Sequence, residues 1–262
     1  MFETILLQGG GGFEATPVGA LTNVTLWVTA VLMGLGAAGI IYQGRGLTSE
    51  EGIEHTVISA LIPAIAMAMY LGMATGIGIV SIEIAGQGTQ EVFWMRYTDW
   101  IVTTPLLLLD LALLAKADRT TIGSLLGLDV FMIAAGLIGA FETLPVYRYL
   151  WWVVSTGAFL AILWLLLGPL SDIASQDDGR ADSFSTLRNL LIGLWVVYPV
   201  VWLLGVEGFG LIPVGIETVI YALLDLSAKV GFGFLMVSAV SDLTEGGQAT
   251  QDRAGATATS DD

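Results

Sequence analysis

The chain is long, apolar and acidic: 262 residues, 55% of them hydrophobic and only 13% charged, with a formal net charge of −15. A soluble domain carries about 25% charged residues, so this composition excludes an ordinary soluble protein and indicates one that crosses a membrane repeatedly. The lack of cysteine excludes disulfides and thiolate metal sites, and the acidic balance argues against a nucleic-acid partner. The single histidine, His55, follows Glu54 in a predicted polar loop, so we expect no histidine-based metal site or catalytic triad.

Seven apolar segments are long enough to cross a bilayer, whose hydrocarbon core of about 30 Å needs about 20 residues of helix. In chain order they cover residues 21–43, 56–82, 93–115, 120–141, 146–170, 186–205 and 212–240. The connections between them are short, so consecutive helices should be antiparallel neighbours. We therefore predict an all-α membrane protein, a single seven-helix domain over residues 1–262 with an N-terminal segment 1–20 and an acidic tail 241–262.

The basic residues predict the orientation of this bundle. Arg148 alone falls on one side of the membrane, and six basic residues fall on the other: Arg45, Lys116, Arg119, Arg180, Arg188 and Arg253. Cytoplasmic loops are enriched in Lys and Arg, so the N-terminus should lie outside the cell and the tail in the cytoplasm. The acidic loops and tail are also typical of proteins exposed to very high salt, although an acidic tail can have other causes.

The third segment carries two aspartates at different membrane depths. Asp99 and Asp110 are eleven residues apart, which returns to nearly the same helix face and separates them by about 16 Å along the axis. Such an arrangement suits a proton relay across a bilayer. Arg96 could hold Asp99 ionised, whereas Asp110 lies in a leucine run without a basic partner and should be neutral at rest. The alternative is that both aspartates serve only helix packing.

Aromatic residues recur on the predicted third, fifth and sixth helices. Four of them lie deep enough to form the wall of a flat, elongated apolar ligand site: Trp100, Trp152, Trp195 and Tyr198. Trp151 and Trp202 could equally be core packing or part of an interfacial belt. Asp129 faces the bundle interior if Met132 and Gly136 line the same groove.

The last segment contains Lys229, with Asp225 one helical turn before it. An ammonium group at membrane depth is costly, so such a residue is a functional candidate whose partner must be identified. A buried ion pair that fixes helix packing is one interpretation. The other is a lysine that forms a Schiff base with a carbonyl compound. Glu207 and Glu217 flank the preceding loop, where they are either solvated or share a proton.

Four motifs together resemble the microbial rhodopsins of haloarchaea, most closely the bacteriorhodopsin proton pumps. The run from Arg96 to Asp110 (RYTDWIVTTPLLLLD) resembles their third helix, and the run from Leu224 to Phe234 (LDLSAKVGFGF) resembles their retinal-attachment helix. The runs WWVVST at 151–156 and WVVYPVVW at 195–202 resemble the fifth and sixth helices. The resemblance extends over residues 20–240.

The resemblance implies a light-driven outward proton pump with retinal on Lys229 as a protonated Schiff base. Asp99 would accept the proton, Asp225 would be a second counter-ion supported by Tyr70, and Asp110 would return a proton from the cytoplasmic side. The release path would contain Arg96, Glu207 and Glu217. The chromophore would be lined by Trp100, Thr104, Met132, Gly136, Trp152, Ser155, Trp195, Tyr198 and Trp202.

The resemblance also implies partners and leaves an alternative. The family expectation is a homotrimer in the lipid bilayer that exchanges protons with both sides. A photosensory receptor of the same fold, acting through a membrane transducer, is the alternative, but Asp110 and Ala228 are pump-like. Chloride pumps lack the aspartate found at position 99. Ser59 stands where the threonine partner of the donor carboxylate is expected, and Phe159 where a methionine would contact the retinal ring.

Overall fold

The computed structural model describes residues 19–244 and confirms the seven-helix bundle. The helices cover Ala20–Gly44, Glu50–Ala74, Trp94–Leu114, Arg119–Phe141, Pro145–Ala174, Asp178–Leu204 and Val214–Thr244. Most of the predicted N-terminal segment and of the acidic tail, with Arg253, lies outside the described residues. The first helix packs on the second and the seventh, and the third packs between the second and the fourth. The seventh also packs on the sixth, so the last helix joins the two ends of the bundle.

The second helix begins earlier than predicted, and this corrects the placement of His55. Ser49 caps the helix by accepting a hydrogen bond from the backbone N–H of Gly52, and Glu50 and Glu51 occupy the first turn. These are strong helix-start signals, but they are polar and so fall outside an apolar window. His55 is therefore a helical residue, 1% exposed, and not part of a polar loop.

A two-stranded antiparallel hairpin joins the second and third helices and was not predicted. Its strands, Val80–Ile84 and Gly88–Val92, pair with Val80 opposite Val92, and the second helix ends at Ala74, short of the predicted residue 82. Gly86 and Gly88 adopt φ of +82° and +76°, which only glycine adopts without cost. The side chain of Gln87 donates to the carbonyl of Gly208, so the hairpin covers the bundle end that holds the sixth-to-seventh loop.

Three of the helices are interrupted. The fifth breaks at Gly168 between Pro145–Leu167 and Pro169–Ala174, and the sixth breaks at Val196 between Asp178–Trp195 and Val197–Leu204. The seventh continues from Val214–Asp225 into a π-helical turn, Leu226–Gly231. Such turns are rare and often occur at functional sites, and this one contains Lys229.

The polarity of the bundle is that of a membrane protein. Large apolar side chains face outward, with Leu35 64% and Trp164 67% exposed, while Arg96, Asp99 and Lys229 are at most 2% exposed. A soluble protein would bury the first group and solvate the second.

At the surface between the third and fourth helices, Asp118 caps the fourth helix, and hydrogen bonds from the side chain and backbone of Thr121 hold its pKa below the usual range.

Candidate functional site

Lys229 lies at the centre of the bundle between two carboxylates. Its Nζ forms a close ion pair with Asp99 Oδ2 and lies 3.4 Å from Asp225 Oδ1. All three side chains are at most 1% exposed, so the cation is balanced by protein charges and not by solvent. Burial without such partners would be prohibitive. The structure thus places together the lysine and both aspartates that the sequence singled out.

The two carboxylates differ in how many hydrogen bonds support them. Asp225 accepts from Tyr70 Oη at 2.7 Å, from Tyr198 Oη at 2.8 Å and from Trp100 Nε1 at 3.2 Å. Among the residues that the structure describes, Asp99 has one polar neighbour besides Lys229, Thr103, whose hydroxyl lies 3.3 Å from Oδ1 and 2.8 Å from the Asp99 carbonyl. Donors to a carboxylate stabilise its charged form, so Asp225 is held as the anion. Asp99 is the carboxylate better able to gain a proton.

An aromatic cavity adjoins this ion cluster. The wall of this cavity contains all nine residues that were predicted to line a chromophore: Trp100, Thr104, Met132, Gly136, Trp152, Ser155, Trp195, Tyr198 and Trp202. Phe159 is also in the wall, with further residues that were not predicted: Tyr97, Ile133, Thr156, Pro199 and Tyr221. Trp100 and Tyr198 belong both to this wall and to the donors of Asp225, so the cavity and the ion cluster are continuous.

Tyr97 could have been found from the sequence. It precedes Trp100 by three residues and Thr104 by seven, the spacing of one helix face. Its hydroxyl accepts a hydrogen bond of 2.7 Å from Trp202 Nε1, which joins the third and sixth helices across the cavity. Trp202 is therefore a cavity residue with a fixed orientation and not part of an interfacial belt.

Asp129 faces the interior, as its shared groove with Met132 and Gly136 predicted. Its Oδ2 lies 2.6 Å from the hydroxyl of Thr104, which also lies 2.7 Å from the carbonyl of Trp100. A threonine hydroxyl has a single hydrogen, which the Trp100 carbonyl receives in the usual helical manner. Among the described residues, Asp129 Oδ1 has no hydrogen-bond partner. A neutral Asp129 carboxyl that donates its O–H to the Thr104 hydroxyl accounts for this contact while Thr104 donates to the Trp100 carbonyl.

Asp110, three helical turns beyond Asp99, is buried at 0% exposure and tied to the second helix. Its Oδ1 is 2.5 Å from His55 Nδ1, and its Oδ2 accepts a 2.6 Å hydrogen bond from Ser59. The contact with Ser59 agrees with the position expected for the hydroxyl partner. The expectation that Asp110 has no basic partner was wrong, because the second helix extends far enough to bring His55 against it.

Arg96, Glu207 and Glu217 form a second buried cluster near the hairpin end. Arg96 Nη1 lies 3.7 Å from Glu207 Oε1, and its guanidinium group stacks on Tyr221. The expectation that Arg96 pairs with Asp99 was wrong: in the described chain its ion pair is with Glu207, and Lys229 takes the place beside Asp99.

The carboxylates of Glu207 and Glu217 lie within hydrogen-bonding reach of each other. Glu217 accepts from the backbone N–H of Val206 at 3.0 Å. In the part of the chain described, the other Glu217 oxygen and both Glu207 oxygens receive no hydrogen bond from the protein. A proton held between the two glutamates would supply the missing donor and reduce their repulsion.

The chain matches known proteins over almost its entire length. The family model described as bacteriorhodopsin-like protein matches residues 20–243. Archaerhodopsin-2 from Halobacterium sp. (strain aus-2) is 43% identical over 99% of this chain and 100% of that protein. Bacteriorhodopsin from Haloterrigena sp. (strain arg-4) is 47% identical over 84% of this chain and 89% of its own length.

Solved structures agree with this match. A cyanorhodopsin from the cyanobacterium Calothrix sp. NIES-2098 superimposes with a TM-score of 0.79 at 45% identity, covering 85% of this chain and 96% of that one. Halorhodopsin, a light-driven chloride pump, superimposes with a TM-score of 0.84 at 31% identity, covering 87% of this chain and 98% of that one.

Proposed function

The chain belongs to the bacteriorhodopsin-like family, and on that premise we propose that it is a light-driven outward proton pump with retinal bound to Lys229 as a protonated Schiff base. One observation carries the proposal. The third helix carries two buried carboxyl groups about 16 Å apart along its axis: Asp99 contacts Lys229 Nζ, and Asp110 is paired with Ser59 and His55.

The residues present fit a retinal. The cavity wall is aromatic, as a long conjugated chain requires, and it ends at the donors of Asp225. A protonated Schiff base keeps one N–H and one positive charge, so Asp99 and Asp225 suit it as they suit the free ammonium group. Bound retinal supplies light absorption and an isomerisation that changes the direction and proton affinity of the nitrogen on Lys229.

The first proton transfer follows from the unequal support of the two counter-ions. Asp99 accepts the proton held at Lys229 Nζ, because it has the shorter contact and fewer stabilising donors. Asp225 remains charged through Tyr70, Tyr198 and Trp100, and so keeps a negative charge beside the lysine throughout. Arg96 is already ion-paired with Glu207. Once Asp99 is neutral, the positive charge of Arg96 is less balanced by the lysine cluster and acts more strongly on Glu207 and Glu217, and their shared proton leaves.

The return of a proton defines a pump. Asp110 is buried at 0% exposure with Ser59 and His55 as its partners, and because a carboxylate is poorly solvated there we infer that Asp110 holds a proton at rest. It gives this proton to Lys229 Nζ from the side opposite Asp99. It then regains a proton from the membrane surface on its own side of the bundle. Net movement is therefore from the Asp110 side to the Glu207 side. The distribution of basic residues assigns the Asp110 side to the cytoplasm. We also infer a homotrimer in the lipid bilayer, in keeping with the family expectation.

The test is illumination of retinal-supplied cells that express the chain. Acidification of the medium that a protonophore abolishes supports outward proton pumping. A chloride pump, as the halorhodopsin neighbour is described, would instead produce alkalinisation that a protonophore increases and that sulfate in place of chloride removes. A retinal band without either signal would favour the photosensory alternative and its transducer. Lys229→Ala is the control, since it must abolish both the band and the signal.

A further inference from the structure

His55 is the chain's single histidine, and its ring lies against Asp110 inside the bundle. The Nδ1–Oδ1 distance is 2.5 Å, and both side chains are at most 1% exposed. We propose that His55 is a proton relay, which takes a proton from the cytoplasmic side and passes it to Asp110 in every cycle. The inference rests on the proposed pump, in which Asp110 loses a proton each time Lys229 is reprotonated.

The second helix provides a path to this ring. Glu51, His55 and Ser59 are four residues apart, so they lie on one helix face at steps of about 6 Å along the axis. Glu51 is at the exposed beginning of the helix, where its side chain is 39% exposed, and Ser59 is in contact with Asp110. His55 therefore occupies the single step between a solvated carboxylate and the buried carboxyl group.

The charges around His55 are close to balanced. Glu51 and Glu54 lie on its own helix, Lys116 follows the third helix, and Arg180 comes from the sixth. Arg180 forms a two-point ion pair with Glu51, with Nη2 3.0 Å from Oε2 and Nη1 in close contact with Oε1. Arg180 thus neutralises the nearest acid, and the ring lies between charges of both signs.

The proton balance of the relay is simple. After Asp110 has given up its proton, the pair consists of a carboxylate and a neutral imidazole. The ring gains one proton from the cytoplasmic side and becomes an imidazolium. Its Nδ1–H bond then breaks as the Asp110 O–H bond forms, which leaves a neutral carboxyl and a neutral ring. Histidine suits this task because its side chain changes charge near neutral pH, whereas the Ser59 hydroxyl can orient the carboxyl but cannot store a proton.

Two substitutions separate a relay from a merely structural contact. His55→Gln keeps an amide that can hydrogen-bond to Asp110 but cannot gain a proton, and His55→Phe only fills the space. The measurement is proton uptake after a flash, recorded with a pH-indicator dye on retinal-loaded protein between pH 5 and pH 9. At neutral pH the unsubstituted protein should take up its proton faster than either variant, because the ring passes to Asp110 a proton that the medium would otherwise have to deliver directly.

In both variants uptake near neutral pH should be slower by about tenfold or more, since Asp110 must then be protonated directly by the medium. A His55→Gln protein with unchanged uptake would overturn the relay and leave His55 a positioning residue. If the unsubstituted protein moves no protons in light, the proposed function itself is wrong. The two failures are thus distinguishable.

A measurement in the dark tests the ring directly. Protein labelled with nitrogen-15 in histidine has a single imidazole to observe by magnetic resonance. We expect its nitrogen signals to change in Asp110→Asn, because the ring contacts that carboxyl directly. Identical signals in the two proteins would contradict the contact on which the proposal rests.

Discussion

Tyr198 donates its hydroxyl to Asp225 Oδ1 at 2.8 Å, the same oxygen that lies 3.4 Å from Lys229 Nζ. One oxygen thus joins the sixth helix, the aromatic wall and the lysine. Tyr70 and Trp100 complete the shell of neutral donors around this carboxylate. A carboxylate with three such donors stabilises a neighbouring cation without competing for its proton. Asp99 and Asp225 therefore have different functions although both contact Lys229.

Asp99→Asn should stop proton transport and shift the visible band to the red. The amide cannot accept the proton from Lys229, and removing one negative charge beside the nitrogen lowers the energy needed to move its positive charge along a bound chromophore. Absorption spectra and light-induced pH changes in vesicles check both effects. Ser227→Ala is the matched control, because Ser227 is on the lysine helix but exposed, and its hydroxyl donates a hydrogen bond to the Leu223 carbonyl of the same helix. Retained transport in Asp99→Asn would exclude Asp99 as acceptor.

Asp110→Asn should leave the initial proton transfer unchanged and slow recovery of the resting state by on the order of a hundredfold near neutral pH. Lys229 would then be reprotonated by the medium, so recovery should slow about tenfold for each unit of rising pH. Flash photolysis over a pH series measures this. Recovery that is equally fast and independent of pH would mean that Asp110 only packs against Ser59 and His55, and would favour the photosensory alternative.

Glu217→Gln should delay the appearance of the proton outside without stopping transport. The amide removes the shared proton between Glu207 and Glu217, so release must wait until Asp99 itself is deprotonated at the end of the cycle. A pH-indicator dye in the outer medium, followed together with the colour change of the chromophore, gives the order of events. If the variant still releases a proton at the moment when Lys229 is deprotonated, the released proton does not come from the pair of Glu207 and Glu217.

Which site residues lie together on one helix was largely predictable from the sequence, because helical spacing determines which residues share a face. The four-residue interval from Asp225 to Lys229 and the eleven-residue interval from Asp99 to Asp110 needed no knowledge of tertiary structure. The hairpin had a signal too: Val80, Ile82 and Ile84 alternate with polar residues before a glycine-rich turn. Five residues per strand were too few to stand out beside seven long apolar segments.

Contacts between helices were the part that the sequence did not determine. Whether Asp110 meets His55, and whether Arg96 reaches Asp99 or Glu207, depends on the rotation and depth of neighbouring helices. The error at His55 also had a local cause, since an apolar window ignores capped polar first turns such as that of Ser49. Arg148 was noted only as a basic residue on the outer side, yet it is buried.

Arg148→Leu should destabilise the protein by about 3 kcal/mol or more. Its guanidinium group donates hydrogen bonds to three backbone carbonyls, those of Glu207 at 2.8 Å, Ala140 at 2.9 Å and Glu142 at 2.5 Å. These bonds connect the fifth helix to the end of the fourth helix and to the loop before the seventh. Leucine fills part of the space but leaves all three acceptors without their donor, in a site that is 1% exposed. Arg148→Lys should be intermediate, because an ammonium group cannot reach three separated carbonyls.

The measurement for this series is the loss of the visible band on heating and in denaturing detergent. Arg45→Leu is the control, since Arg45 is an exposed arginine that stacks on Tyr42, and its loss should change stability by no more than about 0.5 kcal/mol. Equal stability of Arg148→Leu and Arg45→Leu would show that the three carbonyls find other donors. A selective loss in Arg148→Leu would show that this buried cation holds the Glu207 end of the bundle together.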